Sequence, residues 1–431
     1  MRIKVIDKPF REALRQTENK RKKHKKPKRP NIFWRTLMRL LSLSDMKRTN
    51  FTYKEIGMDR LPKGQNAIYF MNHSSFLDLE IVPTILYPKP FNIVATTDAF
   101  VGKEWLLRQI GCIPTKKFTA DLNLVRDILY ASRELGDNIV MFPEAGYSFD
   151  GTSTALPDNL GRFLKMLKLP FVMIHTYGAF SEEPLYNNLH KHRVNVSATV
   201  EYVLSPEEID VMTEDELLGV IRRQFDFDSF RWQQENHIKI DEKTRAEGLE
   251  RVLYKCCECG AEGKMLGEGT SISCSACGKE FTLTEYGHLE CDGEAAKIPH
   301  VPDWYKWERE EVRREILRGE YSLDIPVDIV VSFDTKRMYR VGEGRLTHTR
   351  SEGFRLVGAD GDIDYTHKPM TSHTVCCDFN FYEIGDVISF GDTKCLYYCF
   401  PKEKTSVAKV RLAAEEIYKI ARADKEEKKN Q

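Results

Sequence analysis

Between residues 51 and 203 short apolar runs alternate with helical stretches, and that alternation confines the segment to an α/β sheet covered by helices. Residues 67–71, 91–95, 138–142, 171–175 and 194–203 predict strands. Residues 122–135 and 160–168 carry helical spacing. Several of the strand runs hold four or five residues with little polar alternation, as a strand buried on both faces requires. The expected architecture is therefore a mostly parallel sheet with helices on both faces. Residues 205–223, opening Ser205-Pro-Glu-Glu, predict one capped helix that closes the unit.

Near residue 250 the pattern changes. Two CxxC pairs fall within 253–291, a charged helix is predicted over 303–318, many short β segments with Gly-containing turns fill 325–400, and 406–423 reads as an amphipathic helix. The organisation expected is a basic, amphipathic docking segment (1–50), an α/β domain (51–245), a small cysteine module (250–298), and a charged helix with a β-rich domain ending in a helix (299–431). Strands followed by one helix are compatible, by fold analogy alone, with a pleckstrin-homology-like arrangement.

Charge separates the first segment from the rest. Lys+Arg and Asp+Glu both total 65, yet residues 1–50 hold seventeen Lys/Arg against four Asp/Glu. The run 18–28 is expected to stay solvated unless it meets an anionic surface. Directly after it, Phe33, Trp34, Leu37, Leu40 and Leu41 repeat at helical spacing with Arg35 and Arg39 on another face. A basic amphipathic helix carrying Trp and Phe is a membrane-interface pattern. A neighbouring polybasic run adds roughly 1 kcal/mol per cation at an anionic leaflet. No run of about 18 apolar residues is present, and the N-terminus lacks the apolar centre of a secretory signal. The eleven cysteines do not form a disulfide framework. The location expected is peripheral, on the cytoplasmic face of a membrane.

Chemistry concentrates after three of the apolar runs. His73 and Asp78, in Asn-His-Ser-Ser-Phe-Leu-Asp, sit where a strand turns into a helix. A carboxylate there can fix one ring nitrogen of the histidine and leave the other as a base for a hydroxyl. Gly111-Cys-Ile113-Pro114-Thr-Lys116-Lys117 places two cations in a loop suited to an anionic group. Phe142-Pro143-Glu144 puts a carboxylate at a strand's C-terminal edge, where open α/β sheets bind ligands. Pro170 then begins another strand.

This order of blocks, over about residues 51–210, resembles the glycerolipid acyltransferase family, including the 1-acylglycerol-3-phosphate acyltransferases. The resemblance implies transfer of a fatty acyl group from an acyl-carrier-protein or coenzyme A thioester to a glycerolipid hydroxyl such as that of a lysolipid. His73 is then the base and Asp78 its orienter. Gly111, Ile113, Pro114, Lys116, Lys117, Phe142, Pro143 and Glu144 match the blocks that hold the acceptor. The third block departs from the family: where Gly-Thr-Arg-Ser is usual, this chain has Ala145-Gly146-Tyr147-Ser148. The phosphate-binding Arg is missing, and Lys116, Lys117 or Arg162 are the cations left for an acceptor phosphate.

Cys256/Cys259 and Cys274/Cys277 are separated by fourteen residues, and each CxxC is followed by Gly. Two such turns aim four thiolates at one point and complete a closed tetrahedral site for structural Zn2+, as in a zinc ribbon. Two other readings use the same residues: a catalytically silent lipid-binding scaffold, and a zinc-ribbon nucleic-acid-binding protein. Retention of His73 and Asp78 weighs against the first. Against the second, residues 251–297 carry five Lys/Arg and eight Asp/Glu, so no nucleic-acid partner is expected.

Overall fold

The computed structural model describes residues 3–18, 24–119 and 121–430. Seven strands form the first sheet: β1 (Thr52–Ile56), β2 (Ile68–Met71), β3 (Phe91–Thr96), β4 (Cys112–Thr115), β5 (Asn138–Met141), β6 (Phe171–Tyr177) and β7 (Ser197–Leu204). Their order is β1-β7-β6-β2-β5-β3-β4. Helix α1 (Ile32–Arg48) and α2 (Asp78–Leu86) lie on one face, and α3 (Leu122–Arg133), α4 (Leu160–Leu167), α5 (Pro206–Val211) and α6 (Glu214–Phe225) on the other. Strand alternation sorts the core. Ile68 and Phe70 pack with Ile128, Leu164 and Ile221, whereas Tyr69 and Met71 pack with Ile81, Val82 and Met46.

Two expectations are corrected here. The sheet is mixed rather than mostly parallel: β7 runs antiparallel to β6 over the longest register in the sheet, Phe171–Tyr177 against Ser197–Leu204. A parallel neighbour needs a crossover that returns over the sheet. The segment after β6 holds only the single-turn helices Ala179–Glu182 and Leu185–Asn187, whose Phe180, Leu185 and Tyr186 pack toward the cysteine module instead. The helix expected over 205–223 is two helices. Ser205/Glu208 and Thr213/Glu216 each form a full capping box, so the second begins afresh at Thr213.

A five-stranded antiparallel sheet follows, running from Met265–Glu268 to Glu294–His300. Helix α7 (Val301–Arg318) anchors it: buried Trp304 meets Phe281 edge-on at 5.0 Å and donates Nε1–H to the Lys255 carbonyl at 2.9 Å. The last unit runs seven antiparallel strands from Leu323–Ser332 to Leu396–Pro401 and ends in α8 (Val407–Asn430). The N-terminal strand Val5–Asp7 adds to this sheet beside Met338–Arg340, and Phe10 meets Phe333 at 5.8 Å. One apolar cluster joins this sheet, α7, α8 and the cysteine module to Phe149 and Phe180 of the first domain.

The described part of the N-terminal basic segment is largely exposed but pinned to the α/β domain. His24, Lys25 and Arg29 pair with Asp127, Glu104 and Asp137 at 2.7, 2.7 and 2.6 Å, so buried or half-buried carboxylates of the α/β domain hold it. Residues 19–23 of that charge run lie outside the described residues. Helix α1 is turned opposite to a packed amphipathic helix. Phe33, Leu40 and Leu41 are 63%, 56% and 69% exposed, while Arg39 donates to Thr84 Oγ1 at 2.9 Å and Arg35 to the Pro88 carbonyl. No helix of the described residues is long and apolar enough to cross a membrane.

Candidate active site

His73 follows the end of β2 and Asp78 is the first residue of α2, so a strand-to-helix turn brings them together. Asp78 is fully buried. Its Oδ2 accepts from the backbone N–H of Ser74 at 2.7 Å and of Ser75 at 3.1 Å, and lies 3.1 Å from His73 Nδ1. A carboxylate only accepts, so Nδ1 carries the proton and Nε2 keeps its lone pair. Nε2 has no protein partner among the described residues, and the His73 side chain is 16% exposed. Phe142 and Tyr147 flank the imidazole at centroid distances of 4.3 and 4.2 Å. The pair thus has an oriented, accessible basic nitrogen between two aromatic rings.

Glu144 supports this turn from below. It is 2% exposed; Oε2 accepts from the His73 N–H at 2.9 Å and Oε1 from the Thr154 N–H at 2.7 Å. Burial pushes its carboxyl up to about 7, against the pull of those two N–H groups. The sequence expectation gave Glu144 the acceptor; in the structure its carboxylate faces the backbone and clamps the 142–154 loop to the His73 turn. Ser148 N–H adds a bond to the His73 carbonyl at 3.3 Å.

Residues 52–175 match the family model described as Acyltransferase. All four sequence blocks, from His73 to Pro170, lie inside the matched residues, and the cysteine module and C-terminal sheet lie outside them. The chain is also similar to the solved structure of the 1-acyl-sn-glycerophosphate (LPA) acyltransferase PlsC from Thermotoga maritima. That likeness has 16% identity and a TM-score of 0.34, covering 44% of this chain and 77% of that one. Among curated proteins no relative matches.

The remaining block residues of the α/β domain separate into scaffold and rim. Gly111 turns with φ +88°, and a Cβ there would lie 2.7 Å from the Phe91 carbonyl, so only glycine fits. Ile113 is fully buried core and Pro114 lies in β4. Pro143 is buried beside Glu144. Arg162 is exposed on α4, and no contact links it to His73. Both lysines are engaged by the C-terminal sheet. Lys116 Nζ donates to the Thr393 carbonyl at 2.7 Å, and Lys117 Nζ to Cys376 Sγ at 3.4 Å. Burial opposes the Lys117 ammonium, but its bond to the Cys376 sulfur and the nearby carboxylates of Asp98 and Asp378 hold its pKa raised overall. From α8, Arg411 donates to the Tyr147 carbonyl at 3.4 Å, and from the sheet Tyr382 donates to Asp98 Oδ2 at 3.1 Å. Sequence reading missed Cys376, Asp378, Tyr382, Thr393 and Arg411. They lie more than 200 residues along the chain, and no local motif marks them.

The four cysteines converge as their spacing predicts. Cys256–Cys277 and Cys259–Cys274 Sγ distances are both 3.8 Å, and all four sulfurs lie within 4.8 Å of one another. A tetrahedron of sulfurs about 2.3 Å from a central ion has edges of about 3.8 Å. The donor set fits a metal ion, and four thiolates leave no open coordination position.

Proposed function

We propose that the protein is an O-acyltransferase of the membrane surface, moving a fatty acyl group from a coenzyme A or acyl-carrier-protein thioester to a glycerolipid hydroxyl. The observation that carries this reading is the Asp78 carboxylate, which takes two backbone N–H groups and His73 Nδ1 and leaves Nε2 free. Nε2 removes the acceptor's hydroxyl proton as its oxygen attacks the thioester carbonyl carbon. The tetrahedral intermediate collapses by breaking the C–S bond, and the imidazolium returns the proton to the departing thiolate. Asp78 stabilises the imidazolium between those steps.

Support for a membrane surface comes from α1. Its apolar side points outward, its arginines point inward, and Trp34 meets the 68%-exposed Trp105 at 5.7 Å. An outward apolar helix face carrying Phe33, Leu40 and Leu41 suits insertion at the boundary of a leaflet. On this reading the protein is peripheral and on the cytoplasmic face, and its acceptor, a lysolipid, is reached from the bilayer. The four cysteines hold structural Zn2+, which ties residues 254–278 into the base against which α7 packs.

The test is acyl transfer by purified protein on anionic vesicles, with His73→Ala as the control. Transfer lost in that variant with vesicle binding intact is the expected result. Undiminished turnover by His73→Ala would sink the mechanism.

A further inference from the structure

The charge around His73 points to the class of acceptor, an inference that rests on the acyl-transfer reading above. The two lysines of the second block, and Arg411, which reaches the Tyr147 carbonyl beside the imidazole, are all engaged. Lys116 is held by the Thr393 carbonyl, and Lys117 by Cys376 beside Asp98 and Asp378. Arg411 is buried; it donates to the Tyr147 carbonyl, pairs with Glu415 at 3.3 Å, and lies over the Phe149 ring at 4.7 Å. On the other side of the balance stand Asp78, Asp98 and Asp378. All three contribute repulsion that, after burial, pushes the Tyr147 phenol well above its ordinary range.

A phosphate monoester brings close to two negative charges and strong acceptor oxygens. Beside His73 it would meet carboxylates and find no unengaged cation among the described residues. Desolvating it there is unfavourable, since a buried charge needs a partner. What the site does offer is aromatic. Phe142 and Tyr147 pack on the imidazole, and the half-exposed Phe76, whose ring lies 5.5 Å from Tyr147, adds an open apolar face beside them. Such faces pack on the C–H side of a polyol and its acyl chain without requiring charge.

We infer that the acceptor is a lipid with an uncharged polyol headgroup, selected over a phosphate monoester by Tyr147 and by the C-terminal sheet that engages Lys116 and Lys117. Two sources share this chemistry, a glycerol hydroxyl of a neutral glycerolipid and a sugar hydroxyl of a glycolipid.

The experiment compares kcat/KM of the full chain for monoacylglycerol, a monoacyl glucosylglycerol and lysophosphatidate. Each is presented in phosphatidylglycerol vesicles, with coenzyme A and acyl-carrier-protein thioesters run in parallel. At least one uncharged acceptor is expected to exceed lysophosphatidate by about tenfold or more, the factor that one lost hydrogen bond to a charged group represents. Which uncharged acceptor is better separates the glycerol from the sugar source. Tyr147→Arg is expected to shift the ratio toward lysophosphatidate by a similar factor, and if that variant does not fold the wild-type ratio decides alone. Lysophosphatidate used as well as or better than both uncharged lipids overturns the inference and leaves acyl transfer standing. Transfer to none of the three, from protein that binds the vesicles, overturns both.

Discussion

Replacing Asp78 by Asn separates its charge from its hydrogen bonds. The carboxylate lies 3.1 Å from His73 Nδ1. With the charges spread over both groups, a centre-to-centre distance of about 4 Å and an effective dielectric of about 20 give roughly 4 kcal/mol favouring the imidazolium. At about 1.4 kcal/mol per factor of ten, losing that charge lowers kcat/KM about a thousandfold. Stability should scarcely change. The amide oxygen can still accept from Ser74 and Ser75, and Oδ1, where the amide nitrogen would sit, already has no partner. Asp78→Ala is the contrast, because it orphans two backbone N–H groups in a buried turn at a cost of roughly 2–4 kcal/mol. The assay is thiol release from acyl-coenzyme A or acyl-carrier-protein thioesters on acceptor-loaded vesicles, with thermal midpoints measured on the same preparations. Asp78→Asn retaining more than about a tenth of wild-type kcat/KM would refute the role of the charge. A midpoint as low as that of Asp78→Ala would show that the carboxylate acts mainly as scaffold.

Leu40→Glu with Leu41→Glu removes two of the most exposed apolar side chains of α1; at about 1.5–3 kcal/mol per buried leucine, vesicle affinity should fall by about two to four orders of magnitude in a sedimentation assay. Equal binding by the double variant would put the membrane contact elsewhere. Cys274→Ser should abolish the one tightly held metal ion measured by elemental analysis, and lower the thermal midpoint because metal-binding energy is folding energy in such a module; full metal content in that variant would discard the four-thiolate site. Glu144→Gln tests the buried clamp through pH. The folded carboxyl titrates at about 7 and the unfolded one near 4.3, so the folded state holds the extra proton in between, and wild-type stability falls as pH rises through that window by up to roughly 4 kcal/mol. The variant should lose that part of the slope between pH 5 and 8, while Glu80 and Glu182, also raised to about 7, keep theirs; identical slopes would remove Glu144 from the account.

How far the site was legible in the sequence follows from how local each interaction is. His73 and Asp78 are five residues apart, and each CxxC pair needs only a tight turn, so spacing alone specifies their geometry. The α/β domain was equally readable in its strands, because buried β2, β5 and β6 have no polar alternation. The direction of β7 was not, since it depends on whether residues 178–196 cover the sheet or pack on another module. Glu144 illustrates the harder case. A carboxylate after Phe-Pro at a strand end reads as a ligand group, and only the position of the Thr154 N–H shows that it serves the backbone.

The helix α1 and the two lysines show the same limit from opposite sides. Periodicity correctly separated the apolar and basic faces of α1, but which face meets protein depends on Thr84 of α2 and the Pro88 carbonyl beyond its end accepting from the arginines, with Met38 and Met46 packed on the same core. Because those polar partners take the basic face, the apolar face is left outward, and the helix presents more greasy surface than its sequence pattern alone would commit it to. Lys116 and Lys117 run the other way. Alone they are an exposed cationic loop fit for a phosphate, and the C-terminal sheet, whose strands begin more than 200 residues later, turns them into internal donors. A motif read without its covering domain therefore overstates the cations available to an acceptor. On the inference of an uncharged acceptor, the missing Arg at Tyr147 and the engaged lysines share one explanation. If a phosphate had to be bound here, removing the arginine would leave the lysines under pressure to stay open; with an uncharged acceptor they are free to become the joint between two domains.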